Sequence, residues 1–209
     1  MDRLAALATR LGAPFVSEHI CFVRAAGVEA GHLLPIPRTR VALDVLVENV
    51  LEAKKRLPVP LALENIATLF DWPEGEMDEA TFLTEALERT DTLLLLDIAN
   101  VWSNARNLSG DAAALLDRLP LHRLAYVHVA GGVERNGLYH DTHTAAVPQG
   151  VLDLLSDLCA RADPPGVMLE RDDDFPPSEE LNRELDAIAA AVALGRQSDR
   201  AGEGAARVR

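Results

Sequence analysis

Leu93-Leu94-Leu95-Leu96-Asp97 is the stretch on which the fold turns. Four leucines in a row are too short for a helix and suit a strand buried on both faces, as in parallel sheets covered by helices. Four other short apolar runs have the same form. Ala13-Pro14-Phe15-Val16-Ser17 leads into Glu18-His19, residues 59–63 into Glu64-Asn65, residues 124–127 into His128, and residues 166–169 into Glu170. Helical patterns lie between them. Leu43, Leu46, Val47, Val50 and Leu51 recur at helical spacing until Pro58. Asp78 is placed to cap a helix carrying Phe82, Leu83, Ala86 and Leu87, and Ser109 to cap one carrying Leu115, Leu116 and Leu119. Val151, Leu152, Leu155 and Leu158 mark a further helix, and Ser178 heads the last, with Leu181, Leu185, Ile188 and Val192. Residues 1–11 read as a helix leading into the first strand. Strands alternating with helices predict a parallel sheet with right-handed crossovers. The expected organisation is a single α/β domain over residues 1–195 and a disordered tail over residues 196–209, where apolar periodicity ends.

Composition narrows the function. The chain has 209 residues, 48% of them apolar, and a formal net charge of −13. That sign argues against nucleic acid and anionic lipid as partners. No run approaches the ~18 apolar residues of a membrane span. The two cysteines, Cys21 and Cys159, form neither a disulfide framework nor a metal-binding spacing, so a cytoplasmic location is expected.

All five apolar runs end in His, Glu or Asp, and ligands of parallel α/β folds sit at the carboxyl ends of strands. His19, Glu64, Asp97, His128 and Glu170 should therefore converge on one face. A second cluster, Tyr139-His140-Asp141-Thr142-His143, follows the fourth strand. So many carboxylates and imidazoles repel one another or shift their pKa values unless metal neutralises them. Imidazole and carboxylate without thiolate suit iron, manganese or zinc, and the number of donors suits two or three ions with bridging carboxylates. Asn65 and Asn100 lie close enough to orient the carboxylates or to cap helices. Trp72 and Trp102 either wall the site or pack in the core. Gly131-Gly132 either admits a substrate backbone or turns the chain.

Seven motifs in order resemble a known family: Ser17-Glu18-His19, Leu33-Leu34-Pro35-Ile36-Pro37, Leu63-Glu64-Asn65, Leu96-Asp97-Ile98-Ala99-Asn100, Val127-His128-Val129-Ala130-Gly131, Asp141-Thr142-His143 and Leu169-Glu170-Arg171-Asp172. They resemble the multinuclear non-haem iron-dependent oxidative enzymes, long filed as a family of unknown function. The resemblance implies a TIM-barrel-like fold related to xylose isomerase, here incomplete, with about five of eight parallel strands. It implies two or three iron ions, with O₂ as co-substrate, modifying cysteine or another residue of a ribosomally synthesised peptide. The partners it implies are that precursor peptide and a protein that presents it. By motif, the metal ligands would be His19, Glu64, Asp97, His128, Asp141, His143 and Glu170, with Asp141 and His143 catalytic. Asn65, Asn100 and His140 would support them. Many members carry His where this chain has Gly132, a gap His140 would fill. Members usually begin with three more strands, one bearing a histidine ligand, so this chain reads as truncated at its N-terminus or as completed by association, for example as a homo-oligomer. Two alternatives remain open: a divalent-metal isomerase or phosphodiesterase using manganese or zinc, and a non-catalytic remnant.

Overall fold

The computed structural model describes the backbone of residues 1–206 and the side chains of residues 1–198; residues 207–209 lie outside it. Helix α1 (Asp2–Leu11) ends at Gly12, whose left-handed conformation (φ 62°) closes it. Then come β1 (Val16–His19), the hairpin strands β2 (Cys21–Ala25) and β3 (Val28–Pro35), α2 (Arg40–Lys54) and β4 (Leu61–Glu64). They are followed by α3 (Glu79–Thr90), β5 (Leu93–Asp97), α4 (Ile98–Leu108), α5 (Ala112–Leu116), β6 (Leu124–Ala130) and a second hairpin, β7 (Val133–Arg135) and β8 (Leu138–His140). The chain continues through α6 (Gln149–Cys159), β9 (Val167–Glu170) and α7 (Ser178–Ala206).

Five strands form one parallel sheet in the order β1-β4-β5-β6-β9. Spatial order equals chain order, so there is no reversal point of the kind a doubly wound sheet has. With right-handed crossovers, unbroken progression places every helix on one side, which is how a barrel is wound. The arrangement is an α/β, TIM-barrel-like sheet with five strands among the described residues.

Side-chain parity divides that sheet. Val16, Leu61, Leu63, Leu94, Leu96, Val127 and Val129 pack against the helices in one core. Ser17, Ala62, Leu95, Tyr126 and Met168 point to the opposite side, because side chains alternate along a strand. Continuing that parity by two residues gives His19, Glu64, Asp97, His128 and Glu170. The register aligns them, pairing His19 with Glu64 and Asp97 with His128.

Four local features depart from expectation. Helix α4 occupies residues for which the sequence pattern gives no helix. Ser109 does not cap α5: it closes α4 in the left-handed region (φ 57°), and Asp111 caps α5 through an Oδ1 that accepts the Ala114 N–H at 3.0 Å. Asp111 sits immediately before the helical residues, so its carboxylate reaches their free N–H groups. Both hairpins replace what reads as loop. The last helix continues to Ala206, through much of the stretch expected to be a tail.

Candidate metal centre

Each strand delivers its polar residue at the point where the backbone leaves the sheet. Asp97 illustrates how the local sequence fixes this. It ends β5 and caps α4, its Oδ1 accepting the Asn100 N–H at 2.8 Å. Asn65 holds the same residue from the neighbouring strand: its Nδ2 donates to the Asp97 carbonyl and its Oδ1 accepts the Asp97 N–H, both at 2.9 Å. Asn100 Nδ2 returns to the Asn65 carbonyl at 3.1 Å. The side chains of Asn65 and Asn100 thus fix the backbone beneath the cluster, and the contact to the Asp97 carboxylate comes from the Asn100 backbone N–H.

A chain of contacts joins six of the seven motif residues. His19 Nε2 lies 3.5 Å from Glu64 Oε2, and Glu64 Oε1 lies 3.1 Å from His128 Nδ1. His128 Nδ1 is also 3.2 Å from Glu170 Oε1. Glu170 Oε2 is 3.6 Å from His143 Nδ1, and His143 Nε2 is 2.9 Å from Asp141 Oδ2. Asp97 completes the group: one ligand atom each from Glu64, Asp97, His128 and Glu170 lie within 4.8 Å of one another. Glu64, Asp97 and His128 are buried. Two buried oxygens, Asp97 Oδ2 and Asp141 Oδ1, have no hydrogen-bond partner. Orphaned carboxylate oxygens at a buried site are costly unless something else satisfies them, and a cation does so. The donors are nitrogen and oxygen only, so the residues fit a hard or borderline divalent ion.

Electrostatics point the same way. Burial drives the Asp97 carboxyl upward, and the Asp141 charge adds to it. Burial alone would lower His128, but its hydrogen bonds to Glu170 and Glu64 prevail and push it up to about 10. The hydrogen bond to Asp141 raises His143, and the hydrogen bond from His128 lowers Glu170. Without metal, protons take the place of cations. The sign of the pH dependence follows. A raised His128 pKa adds stability that is complete below about 6.5 and lost as pH rises through about 10. Raised Asp97 acts in the same direction, because ionising it becomes costlier than in the unfolded chain. Glu170, being lowered, matters only at acid pH. The chelator-treated chain should therefore melt at progressively lower temperature from pH 6.5 to 10; a flat or rising melting temperature would contradict the assignment.

The loop bearing Asp141 and His143 is held from three sides. His143 sits in the left-handed region (φ 52°), and its carbonyl accepts the Asp172 N–H at 3.0 Å. Arg171, next to Glu170, donates from Nη1 to the Thr144 carbonyl at 2.8 Å and from Nη2 to Glu184 Oε2 of α7 at 2.7 Å. Glu184 Oε1 accepts the Val147 N–H at 2.7 Å. Both side chains of this ion pair are 7% exposed.

Gly131 and Gly132 admit the chain's own backbone, not a ligand. A Cβ on Gly131 would lie 2.2 Å from the Ala145 carbonyl oxygen and 2.3 Å from that of Ala146. One on Gly132 would lie 2.1 Å from the His140 carbonyl oxygen, so a histidine does not fit there in this conformation. His140 itself lines the cavity above the cluster. Gly131→Ala should cost about 1–3 kcal/mol, because the facing atoms are backbone and cannot step aside; an unchanged denaturation midpoint would refute the contact.

Neither tryptophan lines the cavity at the cluster: Trp72 supports lining residues from behind, and Trp102 packs against the core. Trp72 Nε1 donates to the Pro35 carbonyl at 2.7 Å beside the cavity, whereas Trp102 packs edge-on to Tyr139 at 4.8 Å. Burial, with the Glu18 charge, raises the Cys21 thiol, which leaves it a poor nucleophile. The cavity itself is about 470 Å³ and reaches from the cluster to an apolar wall on β3 and the loop after β4. Sequence reasoning missed that wall and the Arg171–Glu184 pair. No helix among the described residues is long and apolar enough to cross a membrane.

Comparison with known proteins follows the same lines. The family described as "RiPP precursor modification enzyme MbnB/TglH/ChrH" matches residues 1–193. A UPF0276 protein of Streptomyces avermitilis is 58% identical over 196 residues, covering 89% of this chain and 40% of that protein. A UPF0276 protein of Caulobacter vibrioides is 37% identical over 197 residues, covering 94% and 70%. The chain thus spans less than half the length of the first relative and about two thirds of the second. Among solved structures, D-psicose 3-epimerase with D-tagatose from Clostridium cellulolyticum H10 superposes with a TM-score of 0.55 at 12% identity, over 95% of this chain and 68% of that one. That likeness concerns the fold alone.

Proposed function

Because the chain belongs to the RiPP precursor modification enzyme family MbnB/TglH/ChrH, we propose that it is an iron-dependent oxidoreductase that uses O₂ to modify cysteine or another residue of a ribosomally synthesised peptide. The observation that carries this reading is the buried cluster of Glu64, Asp97, His128 and Glu170 with its unsatisfied oxygens. His19, Glu64, Asp97, His128, Asp141, His143 and Glu170 are the residues we assign as ligands of two or three ions. When bound, iron supplies the redox chemistry that these side chains lack.

The chain's own residues do the rest. Asn65 and Asn100 hold Asp97 at the end of β5. Arg171 and Glu184 hold the loop that carries Asp141 and His143. The hydrogen-bonded Asp141–His143 pair lines the cavity and would face the incoming residue of the peptide. His140 adds an imidazole on the side where Gly132 has none. A precursor peptide, brought by a presenting protein, would enter through the cavity mouth, and the cytoplasm is the compartment that fits this chemistry.

The test is anaerobic iron loading, then exposure to O₂ with a cysteine-containing peptide encoded beside the gene, read by mass spectrometry. A mass change that requires both iron and O₂ is expected. If every such peptide is unchanged while the manganese- or zinc-loaded chain isomerises or hydrolyses a small substrate, the isomerase or phosphodiesterase alternative replaces this one.

A further inference from the structure

We propose that the wall formed by Leu33 and Leu34 of β3 and by Leu69 and Phe70 of the loop after β4 is a subsite for an uncharged, apolar side chain flanking the modified residue of the peptide; this rests on the peptide-modifying reading above. The same cavity that exposes the carboxylates and imidazoles is bounded by these four side chains. Its volume of about 470 Å³ lies within the range of small-molecule sites and exceeds what a few ions need. Leu33, Leu69 and Phe70 are each 37–41% exposed. Apolar side chains grouped at the mouth of a polar site, rather than scattered singly over a surface, mark a place where something is covered.

The wall is braced. Its two halves are far apart in sequence, and the Trp72 Nε1–H donates across to the Pro35 carbonyl at 2.7 Å. Phe70 stacks edge-on against Trp72 with ring centroids 5.3 Å apart. Thr68 Oγ1 donates to the Phe70 carbonyl at 2.7 Å. A surface fixed before binding is covered with little ordering cost, so the apolar area converts efficiently into affinity. Any ionised group laid against the wall loses hydration without a partner there.

The experiment uses the full chain loaded anaerobically with Fe(II), and three probes: acetyl-Phe-Cys-Phe-amide, acetyl-Gly-Cys-Gly-amide and acetyl-Glu-Cys-Glu-amide, titrated by calorimetry. The Phe peptide should bind about 10-fold or more tightly than the Gly peptide, as burial of one aromatic side chain permits, with the Glu peptide weakest. In the variant Leu69→Ser/Phe70→Ser the preference for Phe over Gly should fall below about 2-fold, while bound iron, read with a chelating dye, stays unchanged. Leu33→Ser, on the other half of the wall, should weaken the preference in the same direction. Equal affinity for the three peptides, or a preference that survives both variants, overturns the subsite and leaves the peptide-modifying reading intact. Failure of all three to bind, with binding of a monosaccharide to the manganese-loaded chain, overturns both.

Discussion

Glu64→Gln should lower iron affinity by about 100-fold or more, beyond the ~10–100-fold that disturbing a ligand's supporting partner costs. Glu64 is buried and its two oxygens face different histidines, Oε2 toward His19 and Oε1 toward His128. The amide keeps the shape but replaces one oxygen by a donor and removes the charge. Competition against a chelator of known affinity measures the loss, and circular dichroism checks that the fold is kept. A second readout needs no metal. Glu64 is one of the two carboxylates that raise His128. Without it, the fall in melting temperature between pH 6.5 and 10 should become shallower. Undiminished iron affinity together with an unaltered pH profile would remove Glu64 from the site.

Arg171→Met should cost about 3–5 kcal/mol of stability, because it leaves the Glu184 carboxylate buried without its cation. The double variant Arg171→Met/Glu184→Leu should recover much of that loss, since it replaces both charges by apolar groups of similar size. It should not recover iron binding to the same degree. Arg171 and Glu184 also hold the Thr144 carbonyl and the Val147 N–H, and those bonds position the loop of Asp141 and His143. Denaturant unfolding and iron titration on the same two proteins separate the effects. A single variant as stable as the parent would show that the pair contributes nothing.

Much of this arrangement is legible in the chain because it follows from a period of two. A strand that buries Leu94 and Leu96 against helices must turn Leu95 and Asp97 the other way, so the polar residues that end the strands share a face. Helices with a clear apolar stripe, such as α3 and α6, are equally readable. Helix α4 is not, because the face it buries carries Asn100, Ser103 and Asn104, which erase the apolar rhythm. Asn100 and Asn104 are used in hydrogen bonds to the segment following β4, Asn104 Oδ1 accepting the Thr68 N–H at 2.7 Å, and the Ser103 hydroxyl donates within the helix to the Asn100 carbonyl. The hairpin of β7 and β8 had a visible signal in Asn136-Gly137, both with positive φ, the residues a two-residue turn favours. The hairpin of β2 and β3 turns at Ala26-Gly27, also at positive φ, where alanine gives no such cue. The Arg171–Glu184 pair and the apolar wall depend on how separate segments meet in space, which no local pattern encodes.

Asp97 carries one further consequence. Its Oδ1 is occupied as the cap of α4, at 2.8 Å from the Asn100 N–H, and only Oδ2 is unsatisfied. The two carboxylate types therefore differ in what they leave free: Asp97 has one oxygen engaged by the helix and one without a partner, whereas Glu64 and Glu170 each direct their two oxygens to two different imidazoles. Were cations held here, Asp97 would present its free Oδ2, while each glutamate would present two oxygens, and α4 would keep its first turn capped.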